Sequence, residues 1–216
     1  MKRSFSLVIL ALFIGVLCSG ADDVSKARDA AVAPAIKKEG VMTVQGSKKV
    51  VMIVAAKNFR DEELQKPQAI MTRAGVKVTL ASSVVGAVQG VLGSTARAEI
   101  LVKDVKVADY DAVLFVGGPG ADEYWNSPVA HAIARKAVES GKVLGAICIA
   151  PVTLANAGVL DGKKATVWSS DGEKLKIKGA MYTARNLEVD GKIITADGPN
   201  SAEAFGNAVL KAIQTP

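Results

Sequence analysis

Cys148 stands in a setting suited to chemistry. Residues 145–151 read Gly-Ala-Ile-Cys-Ile-Ala-Pro: an apolar stretch, one nucleophilic side chain, then the start of a helix with proline in its first turn. Small Ala146 and Ala150 flank the cysteine two residues to either side. A sharp strand-to-helix elbow needs such neighbours, because the backbone at the nucleophile is strained and larger side chains would collide there. The N–H groups of a helix start, together with its dipole, favour thiolate over thiol. A small buried core cysteine fits the same residues, and the spacing does not choose between the two. Two further candidates also follow apolar runs. They are the acids Asp61-Glu62-Glu63 and the loop Gly117-Gly118-Pro119-Gly120.

The elements that must position these residues alternate in type. Residues 49–56 (KVVMIVAA) form a short continuous apolar run suited to a strand buried on both faces. The acids at 61–63 then open a helix that Gly75 ends. Strands are expected at 76–81, 111–116 and 143–147. Ser127-Pro128 opens a helix to about Ser140, and residues 150–157 form a short one. Asp190-Gly191 between apolar runs signals a hairpin within residues 187–195, and a final amphipathic helix covers 201–213. The pattern predicts an α/β fold: a doubly wound, mainly parallel sheet with helices on both faces. Ligands of such sheets sit beyond the carboxyl ends of the strands, where the strand order switches. All three candidates occupy that position in sequence.

The first 47 residues read differently. Lys2-Arg3, an apolar run over 7–17 and Cys18-Ser19-Gly20-Ala21 before Asp22 make a secretory signal peptide over residues 1–21, with cleavage before Asp22. The run is too short to span a membrane. Lipidation of Cys18 ranks second, because Leu17 stands where a lipoprotein signal wants a small residue. The mature protein is then exported, periplasmic or secreted, with Cys148 as its only cysteine. Residues 22–47 read as a linker, and 48–216 as the folded domain. Over all 216 residues, 27 Lys and Arg against 21 Asp and Glu give a net charge of +6. Scattered lysines with 5% aromatic residues do not suit a nucleic-acid binder. One histidine and two cysteines exclude a conventional zinc site and a disulfide framework. No motif points to a metal or an organic cofactor.

The Ala-Ile-Cys segment and its small-residue helix start resemble the cysteine elbow of the DJ-1/PfpI (ThiJ/PfpI) superfamily. Agreement in order and spacing extends to the helix with Glu63 and Pro67, to residues 73–79 (RAGVKVT) and to the 117–120 loop. It also includes Asp197-Gly198-Pro199-Asn200-Ser201 before the last helix, so that residues 48–214 are covered. The resemblance implies a flavodoxin-like fold and a homodimer. It implies Cys148 as nucleophile or redox thiol, Glu63 as the carboxyl group touching it, and the N–H groups of Gly118 and Ile149 as an oxyanion pocket. Only the resemblance singles out Glu63, since Asp61 and Glu62 suit a helix start equally well. It further implies that Glu63 stays protonated beside a thiolate, with the thiol pKa expected below neutrality.

The departures are informative. Peptidase-like members carry histidine directly after the cysteine, where this chain has Ile149. DJ-1-like members carry one near the strand expected at 165–168, where this chain has Trp168. The single histidine, His131, falls in the 127–140 helix and is expected to be exposed. Glu123 resembles an acid that some peptidase-like members contribute across an oligomer interface, but it has no histidine to orient. Cys–His activation is therefore missing. The leading expectation is a Cys148/Glu63 enzyme acting on small carbonyl compounds or glycation adducts, of glyoxalase or deglycase type. A cysteine peptidase or amidase and a non-catalytic redox or stress protein are the alternatives.

Overall fold

The computed structural model describes residues 48–215. The expected signal peptide and linker lie outside the described residues. The first apolar run becomes β1 (Lys49–Ile53), followed by β2 (Lys57–Phe59), α1 (Asp61–Arg73) and β3 (Lys77–Ser82). Next come β4 (Gly86–Gly90), β5 (Thr95–Ala98), β6 (Ile100–Leu101), β7 (Ala112–Phe115) and α2 (Pro128–Glu139). β8 (Val143–Ile147), α3 (Pro151–Asn156), β9 (Lys164–Ala165), α4 (Gly172–Ile177) and β10 (Met181–Tyr182) follow. The hairpin of β11 (Leu187–Asp190) and β12 (Ile193–Ala196) then leads into α5 (Ala202–Gln214).

Seven strands form the central sheet in the order β11-β12-β8-β7-β1-β3-β6, and β11 alone runs antiparallel to its neighbour. β1 is central, with Val50 paired to Val78 of β3 on one side and to Ala112 of β7 on the other. That position explains its unbroken apolar sequence: Val50 to Ile53 are wholly buried. One face packs under α1 and α5, where Leu64, Met71, Phe205 and Val209 join Val50 and Met52 in one core. The other packs under α2, α3 and α4, where Ile133, Leu154 and Leu175 join Val51, Ile53 and Phe115. The expected doubly wound α/β sandwich is therefore present. α1 and α5 approach closely at Gly206, where an added Cβ would stand 2.9 Å from Ile70 Cδ1 and from Pro67 Cα.

From β1 the chain winds outward to β3 and β6, then returns to the opposite side of β1 at β7 and proceeds to β8 and β12. The direction of winding reverses between β1 and β7. The segments leaving β1, β7 and β8 consequently meet at the carboxyl edge of the sheet.

Two features differ from the sequence expectation. The strand expected at 165–168 is only β9, paired with β10 outside the main sheet, and Trp168 lies beyond it. A separate three-stranded sheet, β2-β4-β5, stands beside the start of α1. Its β4–β5 loop is held by the carboxylate of Asp61, which accepts from the N–H groups of Leu92 at 2.8 Å and Ser94 at 2.9 Å. Among the described residues, no helix is long and apolar enough to cross a membrane.

Candidate active site

β8 ends at Ile147, and the chain turns at Cys148 with φ +62° before α3 begins at Pro151. A non-glycine residue in the left-handed region costs about 1–3 kcal/mol and needs surrounding structure to hold it. Here the Cys148 N–H donates to the Ala196 carbonyl at 2.9 Å, and the Cys148 carbonyl accepts from the Trp168 N–H at 2.8 Å. These bonds tie the turn to β12 and to the segment after β9. The side chain is 8% exposed, enough to open into a cavity of about 260 Å³. Arg60, Glu63, Gly118, Pro119, Ile149 and Trp168 are among the residues lining it.

The three consecutive acids have three fates. Asp61 secures the β4–β5 loop. Burial works to raise its pKa, but the hydrogen bonds from Ser94 and Leu92 outweigh burial and hold it below the usual value. Glu62 pairs with Arg60, through Nε at 2.7 Å and Nη2 at 3.0 Å. Glu63 points inward and is wholly buried, and among the described residues neither of its oxygens makes a hydrogen bond of normal geometry. Pro67, one helical turn on, has no N–H to offer the Glu63 carbonyl. Gly117 completes the arrangement by lacking a side chain. A Cβ there would collide with Glu63 Oε2 and lie 2.5 Å from Cys148 Cβ, so the carboxyl group and the cysteine flank one vacant point. Gly118 is similarly constrained: at φ +102°, a Cβ would press on the backbone of residues 58–60.

Burial is the largest influence on both titrating groups. It pushes the Glu63 carboxyl up to about 8, against the hydrogen-bonding influence of the Cys148 thiol and the positive charge of Arg60. Burial, followed by the charge of an ionised Glu63, pushes the thiol up to about 12, while the N–H groups of Gly118 and Ile149 pull it down. Taken as a pair, the two side chains lose a first proton near 8 and a second near 12. Glu63 is protonated at neutral pH, but beside a thiol and not beside the expected thiolate, because the carboxyl titrates below the sulfur. The thiol pKa expected below neutrality is not met, and the reason is physical: the burial of the sulfur and the charge of Glu63 outweigh the N–H groups of Gly118 and Ile149.

The structure thus brings Cys148, Glu63 and the N–H groups of Gly118 and Ile149 together around the sulfur. His131 does not join them. It is half-buried rather than exposed, and its Nε2 lies 2.8 Å from the Trp125 carbonyl oxygen. Glu123 bonds Ser83 Oγ at 3.3 Å and lines a different cavity, of about 390 Å³. Trp168 stands at the cavity wall, in contact range of the Gly198 turn, where an added Cβ would meet its ring at 2.9 Å. Arg60 was not foreseen as a site residue. It carries no motif of its own, and only the fold places it at the cavity.

Comparison with known proteins identifies the family. A model of the DJ-1/PfpI family matches residues 48–212. An uncharacterised protein of Methanocaldococcus jannaschii is 44% identical over 169 residues, covering 77% of this chain and 82% of the relative. A glutathione-independent glyoxalase of Caenorhabditis elegans is 25% identical, covering 78% and 90%. The deglycase PfpI of Pyrococcus furiosus is 27% identical, covering 76% and 99%. Among solved structures, a ThiJ/PfpI domain protein from Brachyspira murdochii superposes with a TM-score of 0.77 at 30% identity, covering 79% of this chain and 99% of that one. With a family model matching most of the chain and a fold shared with a solved member, this protein belongs to the DJ-1/PfpI family.

Proposed function

We propose that the protein uses Cys148 and Glu63 to process small carbonyl compounds, as a glyoxalase or deglycase-type enzyme. The observation that carries this reading is a buried Glu63 carboxyl, unpartnered among the described residues, beside a cysteine toward which two backbone N–H groups point, in a cavity whose described lining holds no histidine. Relatives named as a glyoxalase and a deglycase support the same class.

The reactive form is the pair after loss of its first proton, which leaves Glu63; the carboxylate takes the remaining proton from Cys148 as the sulfur attacks. The sulfur adds to the aldehyde carbon of a 2-oxoaldehyde while Glu63 gives its proton to the carbonyl oxygen, forming a hemithioacetal. The N–H groups of Gly118 and Ile149 stabilise charge on that oxygen. Glu63, now a carboxylate, removes the C1 proton and returns it to C2, while the proton of the C1 hydroxyl passes to the C2 oxygen, which yields a 2-hydroxyacyl thioester. Water attacks the thioester, its proton passes to Glu63, and thiolate leaves with release of the 2-hydroxy acid. The balance is 2-oxoaldehyde plus water to 2-hydroxy acid, with no oxidant or reductant. A carboxyl group can serve both as acid and base here because its raised pKa lies near the working pH.

The test is conversion of methylglyoxal to lactate by wild type and by Cys148→Ser. Conversion by wild type that falls to the buffer rate in the variant supports the reading. Equal conversion by both, or none by either alongside ready oxidation of Cys148 by peroxide, leaves the redox reading in its place.

A further inference from the structure

We infer that Arg60 is a specificity residue of the Cys148 cavity, and that the preferred substrates are carbonyl compounds carrying an anionic group, a carboxylate above all. The inference rests on the carbonyl chemistry proposed above and names its substrate class. Among the described residues lining the cavity, Arg60 is the only cation. Its backbone is fixed to the glycine loop, since the Arg60 N–H donates to the Gly117 carbonyl at 2.9 Å. Its side chain is fixed by Glu62, which takes hydrogen bonds from Nε at 2.7 Å and Nη2 at 3.0 Å.

A guanidinium has five N–H donors in a rigid plane. Glu62 occupies the edge formed by Nε and Nη2. The other edge, with both hydrogens of Nη1 and the second of Nη2, makes no hydrogen bond among the described residues, and the side chain is 33% exposed. Arg60 lines the cavity, its charge is felt at Glu63 and the charge of Cys148 is felt at Arg60, so the guanidinium stands near the reacting pair. Holding one edge on Glu62 removes most of the rotational freedom that a lone arginine would lose on binding an anion. A planar two-donor edge is the shape that pairs bidentately with a carboxylate. The remaining walls, Pro119, Ile149, Trp168 and Pro199, offer an uncharged frame for a short carbon chain. A cavity of about 260 Å³ admits a substrate of a few carbon atoms bearing one carboxylate. A neutral dicarbonyl leaves the free edge of Arg60 to water and gains nothing from it.

Two measurements test this. The first needs no turnover: Cys148 is alkylated by iodoacetate, which carries a carboxylate, and by iodoacetamide, its neutral counterpart. Both reagents meet the same thiol, so the ratio of their rates reports the surroundings and not the sulfur. The ratio in wild type should exceed that of a free thiol such as glutathione. Arg60→Gln should lower it on the order of tenfold or more, as expected for loss of a charge-assisted hydrogen bond. The second compares 4,5-dioxopentanoate, an anionic 2-oxoaldehyde, with methylglyoxal. Wild type should prefer the anion, and Arg60→Gln should lower the ratio of kcat/KM for the anion to that for methylglyoxal on the order of tenfold, a ratio in which any effect through the charge felt at Glu63 cancels.

An alkylation ratio unmoved by Arg60→Gln overturns the inference, as does an equal loss with both substrates. If turnover survives Cys148→Ser while the alkylation ratio still depends on Arg60, the enzymatic reading falls and Arg60 as an anion reader stands. If turnover requires Cys148 but is indifferent to Arg60, the reverse holds.

Discussion

Replacing Glu63 by glutamine keeps the shape of the side chain and removes its titration, which isolates the consequence of burying an ionisable carboxyl. In the unfolded chain this group titrates near its ordinary value of 4.5, and in the folded protein near 8. The folded state therefore holds a proton that the unfolded state has lost throughout the interval between them. For a group whose folded pKa is raised, the stability it contributes is fully present below the unfolded value and is lost as pH rises through the folded value. Each pH unit in that window is worth about 1.4 kcal/mol, so the loss between pH 4.5 and 8 amounts to on the order of 5 kcal/mol. Asp61 and Glu62 have lowered pKa values, so their titrations fall below the window. The thiol of Cys148 is pushed up to about 12 and titrates above it. Urea denaturation of wild type and Glu63→Gln at pH 5, 6.5 and 8 reads the effect as a difference between two curves, in which every shared titration cancels. The stability of wild type relative to the variant should fall steadily across the series, by several kcal/mol in all. A difference that stays constant from pH 5 to 8 refutes the reasoning, because Glu63 would then titrate alike in both states.

Gly117→Ala should place a methyl group against Glu63 Oε2 and Cys148 Cβ, with Ile147 O 2.6 Å away. Thermal or urea denaturation should show a loss of about 1–3 kcal/mol, and Cys148 alkylation should slow. Asp61→Ala strips the acceptor from the N–H groups of Leu92 and Ser94. It should cost on the order of 2–3 kcal/mol and speed amide hydrogen exchange at those two residues, while leaving the rate of Cys148 alkylation in place. In the native host, intact mass should show a mature chain beginning at Asp22; a chain retaining Met1, or a diacylglyceryl group on Cys18, contradicts export by the pathway proposed from residues 1–21.

Much of the fold was legible because buried parallel strands have a simple signature. The strand expected at 143–147 is β8, Val143–Ile147, and the expected β11–β12 hairpin forms, with its turn at Gly191 and Lys192. The sheet of β2, β4 and β5 was not legible. Its strands are short and half exposed, and what stabilises its loop is a carboxylate from a helix start some thirty residues earlier in the chain. The site was legible in part. Cys148 stood out by the small residues around it, but nothing local distinguished Asp61, Glu62 and Glu63. Their separate fates depend on which way each faces at the first turn of α1, and so on the loop, the arginine and the cavity that the fold brings to them. Arg60 escaped notice for the same reason. The acidity of Cys148 was misjudged because a helix start is visible in sequence whereas the burial of a sulfur atom is not.

The central claim, that Cys148 and Glu63 work as a pair, is tested most directly by kcat/KM for methylglyoxal in Glu63→Gln, with iodoacetamide alkylation of Cys148 measured on the same preparation. Glutamine cannot take up or return a proton, so turnover should fall by about 10²–10⁴-fold, the usual contribution of a general acid–base group, while Cys148 still reacts with the alkylating reagent. Turnover at the wild-type level in Glu63→Gln, with Cys148 equally reactive, would contradict the account: the cysteine would then act without its carboxyl neighbour.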